Sequence, residues 1–593
     1  MQPQRKAGYT AIRRLFLPSG TERTTIDVGA DRLRETKEMT RATQRAALGT
    51  PGDGPSCKAR RFFKPRSASL RRFGLILATA AWLVAVPASQ AQELKVGLKS
   101  EPTSMDPHYH AITTNLQLSL QMFDGLTALD AKLQVVPALA LSWKTVASDI
   151  WEFALRPGVK FSDGSPFTAE DVAFSIERVA KVPNSPSPLT ISTRGIQRVE
   201  VVDPLTVRVH TDGPRPLVPT GLVNLSIMSS KAAAGPNPEG KSTAELNQGD
   251  GLVGTGPFKF VSWSRGGDIV LERNDTYWGP SPYWAKVRLR PLSNAAARVN
   301  ALVSGGVDLV EDPPIDDLAR LKKDPRLTIQ ETPSVRLMFL AFNLADDSVP
   351  GITGTGGKNP LKDVRVRRAL SEAIDRKALV AQVMGGFGSP AAELMLPGSP
   401  GSRSDAVVVK HDPQHARKLL AEAGFPNGFT LSLGSPNGRY QNDLKVAQAV
   451  ASMWSRVGVK TTVEAASPAI FFKNMMAKAY SSTLGGWGES ESTARARALV
   501  SSRNDAKGWG TANWGGYANA EVDALIDAAV HTLDDAQRSA LLQQVAAQAV
   551  DTDVAVLPLY FERSAWGLRR GLSYAVRPDQ QTRAQFVTPS DGK

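Results

Sequence analysis

The sequence predicts an α/β fold with more than one domain, on the strength of two hydrophobic patterns and the chain length. Around Trp151, Phe153 and Leu155, apolar side chains alternate with others, as in a half-buried strand. After Asp363, apolar residues recur every three or four positions, as on one face of a helix. Because both patterns occur in a chain of 593 residues, several α/β domains are expected.

The region after the first strand predicts one helix and one strand pair. Thr168 is a helix N-cap residue followed by acidic residues in the first turn, which favours a helix from residue 169. The apolar runs at 199–202 and 205–209 are separated by Asp203-Pro204, which is typical of a turn between two strands.

The helix after Asp363 carries a single apolar stripe. The stripe consists of Val366, Ala369, Leu370, Ala373 and Ile374. Arg365, Arg367 and Arg368 lie largely off this stripe, so they are expected to form a solvated basic face.

Two more helices and a strand follow in the C-terminal half. Asp412 as N-cap and Pro413 at the first helical position begin one helix, and Gly424 ends it. A further helix is predicted at about 443–457, with a strand at 459–463.

The basic charge of the chain lies in its first 91 residues. The formal net charge is +14, but residues 1–91 hold 17 Lys and Arg against 6 Asp and Glu. The remaining residues hold 54 against 51, which is nearly balanced. The folded body is therefore not predicted to bind nucleic acid.

Residues 1–91 are predicted to be a leader that contains a secretory signal. Arg71 and Arg72 precede an apolar core at 73–86, and small residues follow up to Ala91. Cleavage after Ala91 is expected to release a periplasmic protein. An N-terminal membrane anchor is the alternative, although the apolar core is short for a membrane span.

Catalytic motifs are scarce, so the sequence does not predict an enzyme. The patterns G-x-S-x-G and H-E-x-x-H are absent, and the one cysteine, Cys57, lies in the leader. The mature chain therefore has no thiol nucleophile and no cysteine metal ligand. Neither a cofactor nor a metal is expected, and a secreted hydrolase is disfavoured.

Residues 235–242, GPNPEGKS, fit the phosphate-loop pattern G-x-x-x-x-G-K-[ST]. Pro236 and Pro238 lack the backbone N–H groups with which such a loop holds phosphates, and Glu239 adds negative charge. The segment is therefore expected to be a loop that binds no nucleotide.

A Gly-rich segment with one tryptophan is the best candidate for ligand contact. In LGGWGESE, residues 484–491, glycines let a ligand approach Trp487, and Glu489 or Glu491 could accept an ammonium group. The alternative is a buried tryptophan in a turn with solvent-facing acids. His108 and Tyr109 in DPHYH are weaker candidates, with a solvated loop as the alternative.

Several segments together resemble the extracellular solute-binding proteins of peptide and nickel ABC importers (family 5). They occur in the family's order and span nearly all of the mature chain. The segments are WEFALRPGVKFSDGSPFTAEDVAFSIERV (151–179), GTGPFKFVSW (254–263), ERNDTYWG (272–279), ARVNALVSGGVDLV (297–310), MFLAFNLA (338–345), DVRVRRALSEAIDRKALV (363–380), HDPQHARKLLAEAGFPNGF (411–429), LGGWG (484–488) and YANAEVDALIDAA (517–529).

The resemblance implies a type II periplasmic binding protein with two α/β lobes, a hinge and an extra subdomain inserted in the first lobe. Lobe I would comprise residues 92–338, with the inserted subdomain at about 132–252. Lobe II would comprise residues 339–555, and residues 556–593 would return to lobe I.

The resemblance also implies a function and a set of ligand contacts. The protein would capture di- or oligopeptides, or peptide-like solutes, and deliver them to an ABC permease served by a separate ATPase subunit, acting as a monomer. A nickel chelate, an opine or another small solute is the alternative ligand. The implied ligand contacts are Trp487, Gly488, Glu489, Glu491, Arg439, Tyr440, Tyr109, His108 and Asn343, with Arg439 as the carboxylate-binding residue.

Overall fold

The computed structural model describes residues 92–590. The predicted leader, its apolar core at 73–86 and the cleavage site after Ala91 lie outside the described residues. Across residues 92–590, no helix combines the length and the apolar character needed to cross a membrane.

The strands of the described chain alternate with its helices. In chain order the strands are β1 (Glu93–Leu98), β2 (Thr127–Leu129), β3 (Val135–Pro137), β4 (Ala140–Ala147), β5 (Ile150–Leu155), β6 (Ile196–Asp203), β7 (Thr206–Thr211), β8 (Phe258–Trp263), β9 (Ile269–Arg273), β10 (Lys286–Pro291), β11 (Leu309–Glu311), β12 (Leu327–Phe342), β13 (Gly388–Pro390), β14 (Phe429–Pro436), β15 (Val459–Ala466), β16 (Ser482–Trp487), β17 (Val556–Arg569), β18 (Leu572–Tyr574) and β19 (Val587–Pro589).

The helices are mostly short. They are α1 (Thr113–Met122), α2 (Ala169–Val179), α3 (Thr190–Thr193), α4 (Val218–Gly221), α5 (Thr243–Asn247), α6 (Ala295–Val303), α7 (Ile315–Lys323), α8 (Val364–Glu372), α9 (Arg376–Ala378), α10 (Pro413–Glu422), α11 (Asp443–Arg456), α12 (Pro468–Met476), α13 (Ser492–Leu499), α14 (Ala520–His531) and α15 (Asp535–Ala546). Single turns of 3₁₀ helix occur at Pro360–Lys362 and Ala584–Phe586, and π-helical turns at Leu379–Val383 and Ala547–Thr552.

One large mixed sheet organises the chain, in the order β15-β14-β16-β12-β17-β11-β1-β10-β9-β8. On one side of the centre, β14 runs parallel to β15 and β16. On the other side, β1 runs parallel to β10 and β11. The central strands β12 and β17 are antiparallel and join the two sides.

Strands β12 and β17 are long because each belongs to both sides of the sheet. Residues 327–333 of β12 pair with 563–569 of β17, and residues 337–341 pair with 556–561. The register shifts between these two ladders, so that residues 334–336 lie between them. The result is a two-lobed α/β fold whose lobes are joined by β12 and β17, the crossing strands. It confirms the fold class predicted from the sequence.

The side of the sheet with β14 and β16 is covered by helices on both faces. Met338 and Leu340 pack in one cluster with residues of α8, α10 and α11. Leu337 and Phe339 pack in another with residues of α13, α14 and α15. Alternate residues of β12 thus enter opposite cores, as the pleat of a strand requires.

A separate antiparallel sheet, β4-β5-β7-β6, lies between β3 and β8 in the chain. Phe153, Val207 and Val209 pack in one cluster with Val172 and Ile176 of α2. The strand pair predicted at 199–209 is β6 and β7, and the predicted strand near residue 153 is β5. Both predictions are confirmed.

The predicted helices are confirmed, but one of their arginines is buried. Thr168 and Asp171 form a capping box at α2, and Asp412 caps α10. Arg367 of α8 is 7% exposed, so its prediction as part of a solvated face is wrong. Its guanidinium donates to the carbonyl oxygens of Leu361 at 2.8 Å and Val554 at 3.1 Å, which burial would otherwise leave unpaired.

Residues 235–242 form a turn whose backbone accepts hydrogen bonds from the buried side chain of Arg178. The Arg178 guanidinium donates to the carbonyl oxygens of Glu239 at 2.9 Å and Lys241 at 3.1 Å. It also forms a bidentate pair with Asp106, at 2.8 and 2.9 Å, and both side chains are fully buried. The segment that matches the phosphate-loop pattern is therefore built around a structural ion pair.

Candidate functional site

The carboxyl ends of parallel strands from both lobes face each other near the crossing strands. Lys99 and Asp312 directly follow β1 and β11, and Gln441 and Lys445 follow β14. The Gln441 amide donates to Asp312 Oδ1 at 2.6 Å, and the Lys445 ammonium lies 2.6 Å from the carboxylate of Asp316. Ligands of open α/β sheets bind in such crevices, where the strand order switches.

The two glycines before Trp487 leave room for aromatic rings on both faces of β16. A Cβ atom on Gly485 would lie 2.1 Å from the Trp514 ring. A Cβ atom on Gly486 would lie 2.8 Å from the ring of Tyr440. Both distances are far below van der Waals contact, so glycine is required here for close packing.

Trp487 ends β16 opposite Leu337 of β12. Its side chain is half-buried and packs beside the cluster that contains Leu337 and Phe561. The indole Nε1 is buried and has no hydrogen-bond partner among the described residues. Gly488, the next residue, is exposed, and the Arg336 guanidinium lies 3.1 Å from where a Cβ on Gly488 would be.

Glu489 is half-buried and turned toward the backbone that follows it. Its carboxylate accepts hydrogen bonds from the backbone N–H groups of Ser490 at 2.9 Å and Glu491 at 3.1 Å. Burial raises the pKa of Glu489, and the hydrogen bond from the Glu491 N–H opposes that shift. Burial of the Glu489 carboxylate therefore favours a positive charge close to it, and the guanidinium of Arg495 already acts in that direction.

Glu491 acts as the N-cap residue of α13. One carboxylate oxygen accepts from the N–H of Thr493 at 3.0 Å, and the other from the N–H of Ala494 at 2.6 Å. Both oxygens are thus used by the helix terminus, where a negative charge is also favoured by the helix dipole. Ligand contact through Glu491 stays a prediction that competes with this structural role.

Arg439 and Tyr440 lie in a turn shaped by Asp443. The Asp443 carboxylate accepts from the N–H groups of Arg439 at 2.8 Å and Tyr440 at 3.1 Å. Tyr440 is buried and its hydroxyl donates to the Gly486 carbonyl oxygen at 3.2 Å. Arg439 is exposed, with its guanidinium carbon 5.5 Å from the Tyr440 ring, so it is accessible to an anion.

The half-buried Arg336 and the buried Glu562 form a charge pair where the two crossing strands change register. Arg336 Nε is 3.5 Å from Glu562 Oε2, and the Arg336 Nη2 group donates to Gln580 Oε1 at 2.7 Å. Glu562 is 5% exposed, and its other oxygen has no partner among the described residues. Burial raises the pKa of Glu562 to about 7, although Arg336 acts in the opposite direction.

Arg495 of α13 links the loop that carries Glu489 to residues 334–336, which lie between the two ladders. It is 1% exposed and donates to the carbonyl oxygens of Val335, at 2.7 Å, and of Glu489. Burial lowers its pKa to about 10, so it is still charged at neutral pH. Arg495 therefore fixes the loop that carries Glu489 relative to the crossing strands.

His108 and Tyr109, which are also predicted to contact ligand, form hydrogen bonds to residues 226 and 184. His108 is fully buried, and its ring bonds to the Ser226 carbonyl oxygen at 2.8 Å. Burial lowers the pKa of His108 to about 4. The Tyr109 hydroxyl donates to the Asn184 carbonyl oxygen at 3.1 Å. Contact of His108 or Tyr109 with a ligand stays a prediction.

Asn343 lies at the opposite end of β16 from Trp487. Its backbone N–H donates to the Ser481 carbonyl oxygen at 2.9 Å, and its amide donates to Asp346 at 3.0 Å. The ends of β16, Ser482 and Trp487, are five residue steps apart, which is about 17 Å. A ligand contact at Asn343 would therefore be separate from one at Trp487.

Sequence reasoning did not identify Arg336, Glu562, Arg495 or the pair of Gln441 and Asp312. One of these residues, Glu562, could have been singled out from the sequence. Glu562 is the only acidic residue within β17, a strand that is otherwise almost wholly apolar in its first half. Acidic residues are rarely buried unless they are paired, so this position indicates a buried partner.

The comparison with known proteins places the chain among solute-binding proteins. The family described as bacterial extracellular solute-binding proteins, family 5 Middle, matches residues 134–507. The glutathione-binding protein GsiB of Shigella boydii serotype 4 is 26% identical over 521 residues, which cover 86% of this chain and 97% of that protein. The resemblance proposed from the sequence is confirmed.

Two solved structures share the fold. DppA from Helicobacter pylori, in complex with the peptide STSA, has a TM-score of 0.69 and 23% identity, covering 84% of this chain and 98% of that chain. NikZ from Campylobacter jejuni, in complex with Ni(L-His), has a TM-score of 0.72 and 23% identity, covering 84% and 99%.

Replacing Glu491 by alanine tests its role as a helix cap. Loss of both hydrogen bonds should lower the free energy of unfolding by about 1 kcal/mol, measured by urea denaturation. The matched control is Glu464→Ala, which removes an exposed acid from strand β15 and should change little. Unchanged stability of Glu491→Ala together with lost ligand binding would instead favour direct contact.

The pH dependence of stability should reveal the buried Glu562. Its pKa is raised from 4.5 to about 7, so the folded state loses stability as the pH rises through that interval. Glu562→Gln should remove a decline on the order of 3 kcal/mol between pH 4.5 and 7.5, measured by denaturation at each pH. The exposed Glu464→Gln should retain the wild-type decline. An identical slope in Glu562→Gln would contradict the assignment.

Proposed function

Because the chain belongs to the bacterial extracellular solute-binding proteins of family 5, we propose that it captures a peptide-like solute between its two lobes and delivers it to an ABC permease. The observation that carries the proposal is the crevice at the crossing strands. We assign four groups to it: the half-buried indole of Trp487, the ring of the buried Tyr440, the carboxylate of Glu489 and the exposed guanidinium of Arg439.

This set of groups suits a zwitterionic ligand. An ammonium group would contact Glu489, and a carboxylate would contact Arg439, whose planar fork matches it. The Nε1 of Trp487 is buried without a partner among the described residues, and a peptide carbonyl that reached it would accept its hydrogen bond. The relatives named as glutathione-binding proteins support a ligand of peptide type.

The lobe boundaries that we propose follow the two ladders of the crossing strands. Residues 556–561 pair with 337–341 and share their hydrophobic clusters, so we assign them to lobe II. The two strands then pass from one lobe to the other at residues 334–336 and near residue 562. These positions are a few residues from the predicted limits at 338 and 556. Closure would change the backbone at these positions.

The remaining parts of the proposal concern transport. Export through the signal in the leader, with cleavage after Ala91, would place the mature protein in the periplasm as a monomer. ATP would be hydrolysed by a separate subunit on the other side of the membrane. The solute-binding protein would have no catalytic role.

Thermal unfolding with a ligand panel tests the ligand class. The mature chain should be stabilised by at least one di- or tripeptide, and not by ATP or by nickel with histidine. A ligand at 100 times its Kd should raise the free energy of unfolding by about 2.7 kcal/mol. Stabilisation by nickel with histidine alone, or by ATP alone, would contradict a peptide ligand, and turnover of a peptide or ester would indicate a hydrolase.

The position of the pocket is tested with Trp487→Ala. Loss of the indole wall should abolish the peptide-induced shift while the unliganded protein still unfolds cooperatively. Trp143→Ala is a matched control, because Trp143 lies in β4 of the separate antiparallel sheet β4-β5-β7-β6 and is also half-buried. Retained peptide binding by Trp487→Ala would show that the pocket lies elsewhere.

A further inference from the structure

An arginine of lobe I reaches the backbone of lobe II outside the crossing strands. Arg194 directly follows α3, in the segment between β5 and β6. Its guanidinium donates a hydrogen bond to the backbone carbonyl oxygen of Lys507. Arg194 precedes the crossing at residues 334–336 and Lys507 follows it, so this contact joins the two lobes. It involves no residue of β12 or β17.

Glycine at position 508 lets the Arg194 guanidinium lie against the backbone of lobe II. Gly508 is buried, and a Cβ atom at this position would overlap the Nη1 atom of Arg194. The φ angle of Gly508 is +60°, which is in the left-handed region. A side chain here would therefore strain the turn and also displace the guanidinium.

The turn that carries Lys507 is fixed to the core of lobe II. Asn504 and Trp509 exchange two backbone hydrogen bonds, at 2.9 and 3.1 Å. Trp509 is 8% exposed and packs in the cluster that contains Leu337. The Lys507 ammonium lies 4.9 Å from the centre of the Trp509 ring. The Lys507 side chain thus packs on its own lobe, while its carbonyl oxygen is bound by Arg194.

The turn that carries Arg194 is fixed within lobe I. The carbonyl oxygen of Gly195 accepts from the N–H of Asp212 at 2.9 Å. Asp212 forms a bidentate pair with Arg215, at 2.7 and 2.9 Å, and the Arg215 Nε atom lies 2.7 Å from where a Cβ on Gly195 would be. Each lobe therefore holds its own end of the contact, so that little conformational entropy is lost when the two ends meet.

The Arg194 contact occurs together with the polar contacts across the crevice. Gln441 donates to Asp312, and Lys445 pairs with Asp316, each at 2.6 Å. The lobes are thus in contact at the crevice in the same arrangement in which Arg194 meets lobe II. A hydrogen bond from a guanidinium is stronger than one between neutral groups, and this one needs no ligand atom. Rotation of the lobes about the crossing strands changes the distance across it.

We propose that Arg194 and the turn at residues 504–509 form a latch that holds part of the molecules closed before any ligand binds. The inference rests on the proposed function, because closure matters for a protein that retains a solute between its lobes. The latch raises the affinity for any ligand that binds the closed state, since the ligand does not have to supply the whole free energy of closure.

Spin labels on the two lobes measure the latch without a ligand. The mature chain contains no cysteine, so Ser142→Cys and Gln414→Cys, both at exposed positions, introduce one label on each lobe. Double electron–electron resonance on the labelled protein should show a closed and an open population. Arg194→Ala should lower the ratio of closed to open molecules about tenfold.

Gly508→Ala tests the same contact from the other lobe. The added methyl group displaces the guanidinium, so the ratio should again fall about tenfold, and combination with Arg194→Ala should cause no further loss. Gly356→Ala is the matched control, because Gly356 is exposed, has a φ angle of +64° and would place a Cβ with no atom within 4 Å. It should leave the ratio unchanged, as should Arg198→Ala, which removes an exposed arginine of β6.

The outcomes separate the latch from the proposed function. Absence of a closed population in the labelled wild-type chain, or an unchanged ratio in Arg194→Ala, overturns the latch and leaves the capture of a solute intact. A fall in Gly356→Ala equal to that in Gly508→Ala assigns the effect to backbone strain and also overturns the latch. Failure of every peptide in the panel to bind overturns the proposed function, whereas the distances measured without ligand still decide the latch.

Discussion

The antiparallel pairing of β12 with β17 is the constraint on which the rest of the structure depends. Both strands continue from one lobe to the other, and each lobe adds its parallel strands to one half of the pair. The carboxyl ends of β14 and β16 are therefore held opposite those of β1 and β11. The position of the crevice follows from this topology, and the loops decide only what lines it.

The crossing is also where the structure tolerates incompletely satisfied buried groups. Glu562 and Tyr560 lie two residues apart on β17, and each has a buried oxygen without a partner among the described residues. Arg336, between the two ladders, balances part of this charge. Such groups lower the stability of a fold, and here they are concentrated at the hinge that we propose, next to the crevice.

Elements that depend on local sequence could be predicted, and features that depend on distant segments could not. Helices α2 and α10 could be predicted because their start signals, the capping box at Thr168 and the pair Asp412-Pro413, each lie within a few residues. The burial of Arg367 depends on the Val554 carbonyl, 187 residues away. The capping role of Glu491 could not be predicted, because α13 has only a weak apolar stripe and the helix itself was not recognised from the sequence. For the site, the aromatic and glycine positions were predictable, whereas the partners across the crossing strands were not.

Polar contacts across the crevice favour the closed arrangement of the lobes. The contacts of Gln441 with Asp312 and of Lys445 with Asp316 join the two lobes near the crossing strands. A ligand that touches both lobes adds its interactions only to the closed state, and each 1.4 kcal/mol that it adds changes the ratio of closed to open molecules tenfold. Recognition and closure therefore need not be separate properties of the site.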